Sequence, residues 1–194
     1  MTSQETLNRK EWEVRACAMK DARSLVVEHH YSKGCSNTAV YTHGLFNKRS
    51  GELLGVAWWL PPTRVCAESV NRAHWTRVLS LSRLVCHPSC PKNSASFLIG
   101  GSISIIRNDR KYASLVTYAD EYQNHEGGIY KATNWEYVGK SKPYQKWVDG
   151  NGRQVSKKST VSRTNDQMRD LGHKCIGNFA KHKFVMHVDR SRAP

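Results

Sequence analysis

Apolar and polar positions along the 194-residue chain alternate between a period of two and a period near 3.6, which predicts interleaved strands and helices. Trp12 to Met19 alternates as a first strand. Asp21 stands where it can cap a helix over Ala22 to His30, with Leu25, Val26 and His29 on one side. That helix ends at Tyr31-Ser32-Lys33-Gly34. Ala39 to Asn47 and Leu53 to Leu60 read as a hairpin turned by Lys48 to Gly51 and closed by Pro61-Pro62. A polar, partly helical stretch, Arg64 to Arg77, leads to the strand Val78 to Cys86.

A proline-bounded turn and a long helix from Lys92 to about Arg107 follow, with Asn93, Ser94 and Ser96 as capping candidates. Tyr112 to Ala119 is a second buried strand that ends at Asp120. Beyond it the pattern gives a short helix, Gly127 to Thr133, and a strand over Trp135 to Val138. Then come a hairpin of Gln145 to Val148 with Arg153 to Lys157, a helix from Asn165 to Leu171 and a last strand, Lys183 to Val188. The order β-α-β-β-β-α-β-α-β, with a basic hairpin and a final strand appended, predicts an α/β (α+β) protein with a mixed central sheet flanked by helices. The expected organisation is one domain: a core over 12–139, a basic C-terminal part over 140–189 and a tail at 190–194.

Charge adds a partner class to this picture. The formal net charge is +14, and the stretch from Gly139 to Pro194 carries thirteen Lys or Arg against four Asp or Glu. Such an excess attracts polyanions, nucleic acid first. A merely solubilising basic face, ribosomal RNA and an anionic membrane are the alternatives, and the lack of a basic amphipathic helix with a broad apolar side weighs against the membrane. No run approaches the roughly eighteen uncharged apolar residues of a membrane span. The polar start, Met1 to Lys10, lacks the apolar region of a secretory signal, so the cytoplasm is the expected compartment. In that reducing setting the six scattered cysteines read as small buried hydrophobes. Cys86-His87 with Cys90 offers only half of a zinc site, since no second pair follows at ligand spacing.

Three segments carry candidate chemistry. Pro91 to Ser96 opens a helix just after a buried strand, where backbone N–H groups and the helix dipole suit a diphosphate. Arg83, among apolar neighbours in that strand, is expected to meet an anion or carboxylate, either a ligand or a partner within the fold. The second segment is His29-His30-Tyr31-Ser32 at a helix end, where His can act as a base or metal ligand. The third is Tyr118-Ala119-Asp120-Glu121-Tyr122 at the carboxyl end of a strand, the usual place for ligands in an open sheet.

These segments resemble known proteins. The element order, the strand with Arg83 running into a phosphate-type helix, and Gly127-Gly128-Ile129-Tyr130-Lys131-Ala132-Thr133-Asn134-Trp135 resemble the Gcn5-related N-acetyltransferase (GNAT) fold. More closely, Glu28-His29-His30-Tyr31-Ser32, Leu81-Ser82-Arg83-Leu84, Tyr118-Ala119-Asp120 and the run from Ile129 to Trp135 resemble the phage Mom family. That family converts adenine in DNA to an N6-carbamoylmethyl derivative and so hides the DNA from restriction enzymes. The resemblance implies that Arg83, Leu84, Ser94 and Ser96 line a pocket for acetyl-CoA or a related acyl donor, with Tyr130 beside its reactive end. It also implies that His30, Tyr31 and Asp120, with Tyr130, are catalytic, and that His30, Tyr31 and Asp120 hold Fe(II). The segment His87-Pro88-Ser89-Cys90-Pro91 stands in place of the usual glycine-bearing acetyltransferase loop.

The chemistry bears on the mechanism. The 6-amino group of adenine is conjugated with the ring and is a poor nucleophile, and aminolysis of a thioester would attach an acyl carbon instead of a methylene. A metal-assisted or radical step accounts for that linkage. In double-stranded DNA the amino group is paired, so base flipping or action at transiently opened sites is expected, with Lys142, Lys146, Arg153, Lys157, Lys158 and Arg163 on phosphates; Trp147 or Tyr144 can stack on a base, and either aromatic can equally be core. Two other readings compete: an ordinary N-acetyltransferase acting on a protein or small amine, and a catalytically inactive DNA-binding protein. The oligomeric state is left open, a homodimer being one arrangement considered.

Overall fold

The computed structural model describes residues 5–157 and 162–189; the expected tail at 190–194 and Lys158 lie outside these residues. The chain divides into two compact units, one made of Met1–Tyr118, Gly127–Val138 and Phe184–Pro194, the other of Ala119–Glu126 and Gly139–Lys183.

The first unit is built on a sheet whose strand order is β1-β2-β3-β4-β5-β10-β6. Its strands are β1 (Trp12–Ala16), β2 (Tyr41–Asn47), β3 (Leu53–Leu60), β4 (Val78–Cys86), β5 (Ser114–Asp120), β6 (Glu136–Lys140) and β10 (Lys181–His187). The last three strands run at one end into the second unit. The strands β1 to β4 pair antiparallel in succession, and β4 pairs parallel with β5. A parallel pair needs a crossover, and α3 (Ser94–Asp109) supplies it.

Helices cover both faces. Val56 and Trp58 of β3 and Val85 of β4 bury against Ala22 and Val26 of α1 (Met19–His29). On the other face Trp59 donates its indole N–H to Ser102 of α3 at 2.7 Å. A strand covered on both sides reads as one continuous apolar run, and Leu-Leu-Gly-Val-Ala-Trp-Trp-Leu over 53–60 is such a run. The helix α3 can lie close to β1 because residue 101 is glycine; a Cβ there would meet Val14 at 2.7 Å.

Strands β3 and β4 have the expected bounds, while several others moved. The helix α1 begins at Met19 with Ala18 as its N-cap, so Asp21 lies in the first turn, complementing the dipole instead of capping. Strand β1 accordingly stops at Ala16. The stretch after β3 holds α2 (Arg64–Glu68) and a 3-10 turn, Trp75–Arg77. The motif helix is α4 (Gly128–Ala132), entered through Gly127 at φ +74°, where a side chain would overlap the Phe184 ring.

The second unit has a three-stranded sheet, β8-β7-β9, of β7 (Tyr144–Val148), β8 (Gln154–Val155) and β9 (Lys174–Phe179). Its helix α5 (Asn165–Asp170) starts with a capping box, Thr164 and Gln167 bonding each other's backbone N–H groups. Strand β9 is absent from the sequence pattern because its side chains are mostly exposed and Gly177 interrupts it at φ +137°. The pairing of β7 with β9 slips between Lys146 and Trp147: the extra residue, Ile176, lies on β9, and Lys146, Trp147 and Val148 of β7 are all buried.

Candidate functional site

The parallel ladder between β4 and β5 ends at Leu81 and Thr117, and β4 carries a bulge beside it, with Trp58 opposite Arg83 and Trp59 opposite Leu81. Beyond that point β4 runs free of β5 to the turn that starts α3. There a cleft of about 490 Å³ is bordered by Cys86, His87, Asn93, Ser96, Gly128 and Ile129 among others. A neighbouring cleft of about 540 Å³ continues along Asn93, Ser96, Gly100 and Thr133.

The N-terminus of α3 opens on these clefts without a side-chain cap. Asn93 takes the N-cap position in the left-handed conformation, φ +70°, and makes no capping hydrogen bond. The hydroxyls of Ser94 and Ser96 donate back to the carbonyls of Pro91 and Asn93, at 2.8 and 2.9 Å. The three expected cappers therefore leave the helix end to bind something else, and an anion suits it. The Cys86 thiol beside the cleft is held protonated by the neighbouring Cys90 sulfur and by burial.

Arg83 departs from its expected role. Its guanidinium donates to the carbonyl of Gly34 at 2.8 Å and to the carbonyl and hydroxyl of Ser82 at 2.7 and 3.2 Å. Strand alternation puts it on the α1 face, with Val85, whereas Cys86 faces α3 and the cleft. Carbonyl dipoles, not a carboxylate, compensate its charge. Leu84, half-buried and opposite Ala57, lies on the same face of β4 as Cys86.

Tyr130 of α4 is buried, with its ring against Trp135 and Phe184. Burial raises its phenol above the usual value, and a hydrogen bond with Thr117 offsets part of the rise. It is thus a neutral proton donor. His30 and Tyr31 lie together past α1, ring centroids 4.2 Å apart, the first buried and the second 44% exposed. The His30 Nδ1 accepts the backbone N–H of Ser32 at 3.1 Å and lies 2.8 Å from its hydroxyl.

Asp120 belongs to the second unit and is enclosed there. Its Oδ1 accepts the Tyr122 backbone N–H at 3.2 Å. Its Oδ2 accepts from Lys146 at 3.0 Å and from the Tyr144 hydroxyl at 3.2 Å. The Lys146 ammonium also lies over the rings of Tyr122 and Tyr144, at 4.9 and 5.3 Å. Lys146 is 3% exposed, which corrects its expected place on the phosphate-facing surface. Trp147, 1% exposed, is core and presents no face to a base, and the Tyr144 hydroxyl is committed to Asp120. Lys142 and Arg153 are exposed; Lys157 donates to Asn165 at 2.6 Å, and Arg163 is half-buried. Lys158 lies outside the described residues.

Two of the expected iron ligands, Asp120 and His30, are each poorly suited to a metal within their own unit. Both Asp120 oxygens are engaged, one by a buried ammonium that would repel a cation. The His30 Nδ1 accepts a backbone N–H, so the neutral ring carries its proton on Nε2 and has no lone pair left there. Among the described residues no group of three His, Cys, Asp or Glu side chains is gathered to hold a metal. The cysteines are free thiols; Cys90 is buried and Cys175 exposed, the latter against expectation.

Sequence reasoning missed two features. Gly128 and Ile129, quoted for their motif, form a wall of the cleft, and Lys146 is the internal partner of Asp120. The first had a signal in the paired glycines before a short helix. The second had none, because a lysine gives no apolar mark to a buried strand position.

An acetyltransferase-like protein of the GNAT fold is what the split between β4 and β5 and the open end of α3 define. The fold is shared with an N-acetyltransferase of Staphylococcus aureus (TM-score 0.52, 15% identity, 91% of this chain and 97% of that one). It is shared also with an alanine acetyltransferase for a ribosomal protein from Vibrio fischeri (TM-score 0.57, 9% identity, 97% and 99%). A Salmonella typhimurium protein described as an acetyltransferase and solved with its cofactor acetyl-CoA matches likewise (TM-score 0.57, 9% identity, 95% and 98%).

Within that class the chain belongs to the Mom protein family, whose sequence profile matches residues 11–191. It is 31% identical over 137 residues to the methylcarbamoylase mom of Escherichia phage Mu; the match takes in 67% of this chain and 54% of that protein. The chain thus spans about half the length of this relative. No helix among the described residues is long and apolar enough to cross a membrane.

Proposed function

We propose that this chain is a DNA-modifying transferase that converts adenine to an N6-carbamoylmethyl derivative and so shields DNA from restriction. The observation that carries the reading is the family match across residues 11–191, together with a relative named as a methylcarbamoylase. The +14 charge supports DNA as the polyanion.

The uncapped start of α3 and the wall of Gly128 and Ile129 fit the phosphates and the arm of an acyl-CoA-type donor. Such a donor would supply a thioester-activated carbon. Tyr130, held neutral by burial, is suited to give a proton to a leaving thiolate. Arg83 fixes the segment after α1 through Gly34, and so sets where His30 and Tyr31 stand. In this reading its contribution is positional. Asp120 would take part through its charge and its hydroxyl and ammonium partners, with no step assigned to iron.

Nucleoside mass spectrometry of DNA from cells that express the chain tests the proposal. A modified deoxyadenosine is expected, and an unmodified nucleoside profile with well-expressed protein overturns it. The GNAT fold favours a second reading, acyl transfer to an ordinary amine. Acetyl-CoA turnover on amines in the absence of DNA would support that reading instead.

A further inference from the structure

The segment between β3 and β4 is not used by the cleft or by the motif residues, and its surface is unusual. Pro61 and Pro62 restrict the approach to α2, and the Thr63 hydroxyl caps that helix by accepting the Cys66 N–H. On this short, braced helix Val65 is 79% exposed, the largest exposure among the exposed large hydrophobic residues. Beside it the Arg64 guanidinium stacks over the Trp75 ring at 5.0 Å, and Trp75 itself is 36% exposed.

Basic groups lie along the same segment. Arg64, though paired with Glu68 at 2.7 Å, keeps 71% of its side chain exposed. Arg72 is exposed on the same segment. Two residues beyond Trp75, Arg77 donates to the carbonyls of Lys111 and Arg110, and so ties two more cations to the patch. Five basic side chains thus stand against two carboxylates, Glu68 and Asp109, each already in an ion pair.

The patch is anchored on β5. Cys66, next to Val65, lies with its Sγ 3.1 Å from the Tyr118 hydroxyl, on the part of β5 beyond its last pair with β4. An exposed apolar tip beside a stacked aromatic, rimmed by arginines, matches the physical needs of a wedge in duplex DNA. The apolar group takes the place of a stacked neighbour while the cations hold the flanking phosphates.

We infer that the β3–β4 segment is a DNA-opening element, in which Val65 and Trp75 enter the base stack and Arg64 and Arg72 grip phosphates on either side. This rests on the DNA-modifying reading above and names the device that would expose the adenine amino group. It replaces Trp147, which burial removes from that role, and Tyr144, whose hydroxyl is held by Asp120.

The test uses the full chain and a short DNA duplex that carries 2-aminopurine, whose fluorescence rises on unstacking. Arg64→Glu with Arg72→Glu is expected to weaken duplex binding and to make the slope of log affinity against log salt shallower by roughly 1 per arginine. Val65→Asp, with both arginines kept, is expected to abolish the fluorescence rise. Unfolding midpoints check that these exposed sites leave the fold intact. If the wild type binds the duplex and yields modified deoxyadenosine, but the variants change neither slope nor fluorescence, the opening element is wrong and the transferase reading stands. A wild type that binds no duplex overturns both.

Discussion

The Lys146 ammonium lies 3.0 Å from Oδ2 of Asp120, and neither side chain is more than 5% exposed. A buried pair of this kind is fragile to single changes, because removing one partner leaves the other charged, buried and uncompensated. Lys146→Met is expected to cost about 3–5 kcal/mol of stability, and Asp120→Ala a similar amount, whereas an apolar pair at both positions should recover most of the loss. Denaturant unfolding of the double-mutant cycle measures this. Two single losses below about 1 kcal/mol would show that the pair is not coupled as described. Loss of product in Asp120→Ala is therefore no clean sign of catalysis.

His43 is 1% exposed and hydrogen-bonds through Nδ1 to Ser102 at 2.6 Å. Burial lowers its imidazole from 6.5 to about 4. The unfolded chain then binds more protons than the native one between these two values, so stability rises with pH across that window. The contribution is complete above about pH 6.5 and is lost as pH falls toward 4, at most about 3 kcal/mol. His43→Leu should flatten the unfolding free energy against pH between 4 and 6.5; an unchanged slope would rule out this origin.

The two glycines before α4 have different tasks. Gly127 has φ +74° and the Phe184 ring against it, while a Cβ on Gly128 meets nothing within 4 Å. Gly127→Ala is expected to destabilise by about 2 kcal/mol or more, and Gly128→Ala by less than about 0.5 kcal/mol. Thermal unfolding of the two variants compares them directly, and equal losses would contradict the packing against Phe184.

At the open end of α3, Ser96→Glu separates stability from binding. A carboxylate in the first helical turn favours the dipole and should add roughly 0.3–1 kcal/mol to stability. The same charge beside the cleft should weaken binding of coenzyme A by tenfold or more, read by calorimetry. Undiminished binding would place the phosphates elsewhere.

How much of this was readable beforehand follows from where the information lies. Strands β3 and β4 had the expected ends because both are buried on two faces and bounded by turn residues. The family motifs and the GNAT order were likewise in the sequence. Arg83 is a charge that needs a partner, but one of its carbonyl acceptors, Gly34, belongs to a loop 49 residues away and the other is its own neighbour, Ser82. Lys146 was read as a surface cation because a lysine on a hairpin usually is one. Its burial depends on Asp120 and Tyr122, more than twenty residues earlier in the chain, and on pairing with β9, a strand whose exposed side chains give no periodic signal. Capping failed as a guide at α3 for a related reason: serines hydrogen-bond carbonyls as readily as amides.

Burial of the pair also sets how the second unit can change over time. Closed off from water, position 146 is tied to position 120 by charge, and neither is free to drift alone. Homologous chains that bury both positions should hold an opposite-charge or an all-apolar combination there. Chains that place residue 146 at the surface should release position 120 to vary.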